Sequence, residues 1–352
     1  MKIRQFFIIF TTTVFFILSL NAMDSSVNIK ESNDELLNIS VNNSINSKDF
    51  NVFANFIFWT AKEASADCWA EVITSDSSTS SNDIQQVHFG WDPGFKVGVG
   101  YKMNQDQWDT QLYYTWFHTR GNDYISSNPG TIHSTFLGNF YINNADGSGL
   151  SGPAYQKASI DWTIKLNMID WELGRKFWFT KSLALHTFLG LKGAWIDQSI
   201  HSKWQNPDLP INDFFYVGIE NLKNNYRGIG PKVGINTKWN LFSNQSQFYF
   251  LGDFSGSIMW GHWSFFDVFQ NDLPQQVSVD LQNINGGSSM LQMFMGFEWD
   301  SNFSQKQHRF STKLGYEMQF WLDQLQFYSF TGGRLVNELT LQGGTLEFYF
   351  NF

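Results

Sequence analysis

The chain has 352 residues and a net charge of −9, with 16% charged residues and a mean hydropathy of −0.27. That acidity argues against nucleic acid as a partner, and a single cysteine, Cys68, excludes an internal disulfide framework. Aromatics reach 18%, with 36 Phe, 15 Trp and 12 Tyr against 7 Pro, a balance that suits strands with one lipid face and one wet face.

Residues 1–22 read as a secretory leader, with Lys2 and Arg4 as its positive start and Leu20-Asn21-Ala22 as a cleavage site. Its apolar part, about 15 residues, is shorter than the ~20 a membrane-spanning helix needs. Residues 23–48 are rich in Ser and Asn and show no clean period, so a flexible tail is expected. From residue 49 the signal is alternation broken by turns, because successive side chains of a strand face opposite ways.

A first strand over 50–61 has poor parity, and a polar loop follows that includes 75–83. Phe95, Val97, Val99 and Tyr101 then oppose Lys96, Gly98, Gly100 and Lys102. After the turn 104–107, Trp108, Thr110, Leu112, Tyr114 and Trp116 oppose Asp109, Gln111, Tyr113 and Thr115, which predicts a hairpin. A long connection over 120–157 leads to a strand over 159–176, where Ile160, Trp162, Ile164, Leu166 and Met168 alternate with Asp161, Thr163, Lys165 and Asn167. The phase slips at Ile169-Asp170-Trp171, which suggests a β-bulge.

Further strands are expected over 183–198, 226–241, 248–260, 291–299 and 310–320, with long loops at 201–225, 261–287 and 323–336. The closing strand, 345–352, places Leu346, Phe348, Phe350 and Phe352 on one face. As the edge of a soluble sandwich it would invite aggregation; closing a barrel in lipid removes that edge. The expectation is all-β: one antiparallel transmembrane barrel of about ten strands, within a range of 8–12, spanning residues 49–352, with short periplasmic turns and long extracellular loops. Twelve strands follow if 131–142 or 213–219 hides a hairpin.

Trp91, Trp108, Trp116, Trp162, Trp195, Trp239, Trp260 and Trp299 sit near strand ends and are expected to form two aromatic girdles. The polar parity supplies an expected inner wall: Lys96, Lys102, Lys165, Arg175, Lys192, Lys232, Lys238, Arg309 and Lys313 against Asp109, Asp161, Asp253, Glu298, Glu317, Glu338 and Glu347. Charge rings of this kind bias ion passage, or else pair across the interior and plug it. The seven His show no metal-ligand spacing. Gly228 to Gly234 lacks the following helix of a phosphate loop, and no nucleophile elbow is present, so neither cofactor nor catalysis is expected. Inner-face glycines read as room for neighbouring side chains.

WDPGFKVGVGY (91–101), WDTQLYYTWFHT (108–119), DWELGRKF (170–177) and LGLKGAWIDQ (189–198) resemble, in that order, the Legionella-type major outer membrane proteins, a family also found in chlamydia-like bacteria. The resemblance covers about 50–352 and implies a pore-forming barrel in the bacterial outer membrane with no catalytic residues to carry over. It also implies that Phe348, Phe350 and Phe352 form the signal read by the barrel-assembly machinery. Two functions stand as expectations. One is a porin-like channel for passive diffusion of ions and small solutes. The other is a non-conducting surface barrel, an adhesin or envelope protein, working through loops at 75–83, 126–130 and 143–152. Outer-membrane lipid is the expected surrounding, and homo-oligomerisation and a host-surface partner are left open.

Overall fold

The computed structural model describes residues 49–352 apart from 65, 77–78, 104–106, 128–130, 138–153, 181, 209–214, 242–246, 274–275, 304–307 and 330–332. The leader and tail expected over 1–48, and the loop 143–152, lie outside the described residues. Among the described residues, ten antiparallel strands pair in a closed ring. In chain order they are β1 (Asp49–Glu63), β5 (Asp92–Lys102), β6 (Trp108–Ser126), β8 (Lys157–Trp178), β9 (Leu183–Gln205), β10 (Val217–Asn240), β11 (Phe248–Asn271), β12 (Gln276–Phe303), β13 (His308–Ser329) and β14 (Gly333–Asn351). β14 returns to pair with β1 over Asn51–Glu63, so no edge is left open. β4 (His88–Phe89) continues the wall beside β6. Three short strands, β2 (Cys68–Asp76), β3 (Thr79–Gln86) and β7 (Ile132–Ser134), make a separate sheet from the segments between barrel strands.

The strands run well past their expected ends. β9 has 23 residues and β12 has 28. At ~3.3 Å per residue and a tilt of about 40°, β9 rises roughly 58 Å, more than twice the ~25 Å apolar band of an outer-membrane barrel. Much of 201–225, 261–287 and 323–336, expected as loops, is therefore strand, and the intervals between strands shrink to 272–275 and 330–332 in the last two. The polar segment 75–83 likewise lies largely in the β2–β3 hairpin.

What differs along each strand is which face is apolar. At the lower, short-turn end of β9 the outward residues are Leu189, Leu191 and Trp195, all exposed, and the inward ones include His186 and the buried Lys192. Further up, Ala194, Ile196 and Ile200 point inward and are buried, while Asp197, Ser199, His201 and Lys203 point outward. β8 changes in the same way: Glu172 and Asp170 point inward beneath Met168, Leu166, Ile164 and Trp162. Side-chain direction never slips, because β8 keeps an unbroken register with both neighbours. The bulge expected at 169–171 is absent; bulges fall instead beside Trp263 and between Trp321 and Leu325.

The lower half is therefore a membrane barrel, apolar outside and polar inside. The upper half is a water-facing barrel with a hydrophobic interior. Trp59, Phe117, Trp162, Trp204, Trp263, Trp321 and Phe327 fill that interior, and Trp69, Ile132, Phe136 and Leu137 from the small sheet and its flank pack onto it. Trp69 lies 5.6 Å from Trp204, and Phe136 stacks on Phe327 at 5.7 Å. Outer-membrane barrels keep short turns in the periplasm, so the packed half faces outward from the cell.

Candidate functional site: the membrane-level lumen

The parity rule carries charged residues of most strands into the lower interior. Lys192 on β9 donates to both oxygens of Asp170 on β8 at 2.8 Å. Lys232 on β10 donates to Asp170 at 2.9 Å, to Glu172 at 2.7 Å and to the Tyr113 hydroxyl at 2.5 Å. That hydroxyl in turn donates to Glu172 at 2.5 Å. Across the lumen, Lys96 approaches Glu317 at 3.4 Å, and Gln292 and Gln319 donate to the same carboxylate at 2.7 and 3.0 Å. Lys313 meets Glu347 at 2.6 Å, with Asn55 donating to Glu347 at 2.9 Å. Nearer the periplasm Lys238 and Arg309 each bridge both Glu298 and Asp300, at 2.7–3.0 Å, and His186 contacts Asp109 at 2.9 Å.

These groups surround a polar cavity of about 140 Å³, lined by Lys96, Lys232, Lys313, Glu172, Glu317 and Glu347 among others. Asp253 also lines it and makes no ion pair among the described residues. Two inner-face glycines make the crowding workable. A Cβ on Gly98 would collide with Phe53 and Tyr113, and one on Gly234 with Phe188. The inward, buried Thr345 closes the top of the cavity: it donates to Glu317 and accepts from the indole of Trp59, both at 3.3 Å. Above it the aromatic filling begins.

Of the expected inner-wall residues, Lys96, Lys192, Lys232, Lys238, Asp109, Asp253, Glu298, Arg309, Lys313, Glu317 and Glu347 line the lumen, and Lys102 lies exposed at its periplasmic rim. Four do not. Asp161 and Lys165 point outward above the membrane, where Asp161 pairs with Arg120. Glu338 is also exposed on the outside. Arg175 shares the outward row of Leu173 and Phe177, while Lys176 takes the inward place. A fifth departure is Trp162, which is not in a girdle but fully buried in the upper interior, its indole donating to Gln198 at 3.0 Å. Three of these five departures, Asp161, Lys165 and Trp162, share one cause: the apparent phase slip at 169–171 is a change of polarity, not of side-chain direction. Counting parity straight through β8 also finds Asp170 and Glu172, which hold the two most buried lysines. The other seven girdle tryptophans face outward, with Trp91, Trp108, Trp195, Trp239, Trp260 and Trp299 exposed and Trp116 half-buried.

The upper interior also holds buried carboxyls. Glu63 is fully buried and accepts from Gln198 at 2.6 Å; burial pushes its carboxyl well above the usual range. Asp267 on β11 faces Glu220 on β10, and burial raises it to about 7 against the opposing pull of that contact. Ser202 donates to Glu220 at 3.0 Å.

No curated protein matches the chain. Among solved structures, the outer membrane protease OmpT from Escherichia coli is 10% identical, with a TM-score of 0.44 over 86% of this chain and 97% of that one. A major outer membrane protein from Thermus thermophilus is 9% identical, with a TM-score of 0.33 over 87% and 100%. The P. putida toluene transporter TodX is 7% identical, with a TM-score of 0.31 over 87% and 91%. The model of the family described as Legionella pneumophila major outer membrane protein precursor matches residues 43–352. The chain thus belongs to the Legionella major outer membrane protein family, and it is a β-barrel of the bacterial outer membrane.

Proposed function

We propose that this barrel is a porin-like conduit for ions and small hydrophilic solutes that rests closed at its outward end. The observation that carries the reading is the charged, hydrogen-bonded lumen around a 140 Å³ cavity at membrane level. A barrel that only displayed loops would gain from apolar filling, since buried ion pairs are often replaced by hydrophobic groups at no loss of stability. The cavity is capped by Thr345 and Trp59 and by the aromatic filling above them, so the conducting form needs that layer to part, as in hydrophobic gates.

Refolded full chain in planar bilayers tests it. The unaltered protein should show rare, small current steps, and Trp162→Ala with Phe327→Ala should make them frequent and several-fold larger. Asp253→Asn should shift the reversal potential under a salt gradient. Silence from all three, with heat-modifiable gel migration showing a folded barrel, would overturn the channel. A surface or envelope role would then stand, and the packed upper half with its small sheet favours that second reading by offering a rigid platform above the membrane.

A further inference from the structure

We propose that the outer surface of β8–β10, just above the outward tryptophan row, binds the phosphate groups of an outer-leaflet glycolipid. Trp195 lies opposite Arg227 of β10, so the guanidinium stands level with an indole that faces lipid. One step up, Lys165 of β8 lies opposite Asp197 of β9; one step beyond, Lys223 of β10 lies opposite Ser199. With strands ~4.8 Å apart and ~3.3 Å per residue, the three cations form a triangle of sides about 12–13 Å. All three are exposed, and none makes an ion pair among the described residues.

The chain as a whole is acidic, at −9, yet Asp197 is the one carboxylate inside this triangle. On the flank, Arg120 neutralises Asp161. The opposite wall differs: among Thr60, Thr340 and Gln342 above the apolar band on β1 and β14 stands a single cation, Lys62, opposite Thr340. The cations are therefore gathered on one side, continuous with the lipid-facing surface. Exposed Lys and Arg beside an apolar band and aromatic anchors are what an anionic headgroup requires. Arginine in particular binds phosphate in a bidentate way, while the acyl chains lie against Trp195 and Ile229 below. The proposal needs only the outer-membrane location, not the conducting role.

The full chain in detergent micelles, mixed with diphosphoryl lipid A or with the same glycolipid stripped of phosphate and read by native mass spectrometry, tests it. The unaltered protein should retain the phosphorylated form selectively. Lys165→Glu, Lys223→Glu and Arg227→Glu together should reduce that retention about tenfold or more, while Lys62→Glu, elsewhere on the outer surface, should leave it unchanged. If the triple variant does not fold, Lys165→Gln with Arg227→Gln replaces it, with a several-fold loss expected. Undiminished retention in the folded variant would overturn the site. So would equal retention of the stripped glycolipid, or inorganic phosphate binding there as tightly as the lipid, which would mark a simple anion site.

Discussion

Asp170 shows how much a single residue can hold in this lumen. It is fully buried and bridges two lysines, Lys192 and Lys232, that are themselves 1% and 2% exposed. Removing one partner of a buried pair leaves a charge without compensation, a loss of ~3–5 kcal/mol, whereas replacing both partners can be neutral. Asp170→Ala should therefore lower the midpoint of urea unfolding in micelles markedly, and adding Lys192→Leu should recover part of the loss. Asp267 in the upper interior behaves differently, because it makes no ion pair among the described residues. Asp267 is raised from 3.8 to about 7, so the folded state holds its proton longer than the unfolded state does. Its contribution is full below about pH 4 and is lost as pH rises through 7, at up to about 1.4 kcal/mol for each unit. Protection factors, with the base catalysis of exchange itself divided out, should be lower at pH 8 than at pH 5 at the outward ends of β10 and β11, and Asp267→Asn should flatten that difference.

At the scale of the strand, alternation is readable wherever lipid lies outside. Val97 against Lys96 and Phe348 against Glu347 are correctly placed, because there the apolar residue must be the outer one. Above the membrane the same period continues with opposite meaning. A period of two separates the faces of a strand without saying which is inside, so Ile160 to Leu166 read as lipid-facing when they are core. The segments 201–225 and 261–287 carry many polar outward residues, His201, Lys203, Asn221 and Asn285 among them, and so read as loops. The ion-pair partners in the lumen are legible only as a set of inward charges. Which lysine meets which carboxylate depends on stagger around the ring, and no single strand encodes that. The reversed polarity predicts a labelling pattern. In a Cys68→Ser background, His201→Cys, on the outward face of upper β9, should react in intact cells with a membrane-impermeant maleimide. Leu189→Cys on the same face of the same strand should not react. Labelling of both would mean that the strand stands in water throughout.

For the whole molecule, closure through β14 and β1 joins two barrels of opposite polarity end to end in one sheet. The join falls at a similar level on β6, β8, β9 and β10, where Trp116, Ile169, Trp195 and Ile229 give way to His118, Lys165, Asp197 and Arg227. This gives the molecule a fixed draught. If it sank by one repeat, Arg227 and then Lys165 would enter hydrocarbon, at up to ~2–4 kcal/mol for each basic residue at mid-depth. If it rose by one, a ring of Leu, Ile and Trp would be lifted into water. Its waterline is thus written into the strands themselves, and a bilayer of another thickness must stretch or thin to meet it, because the barrel will not shift to suit the bilayer.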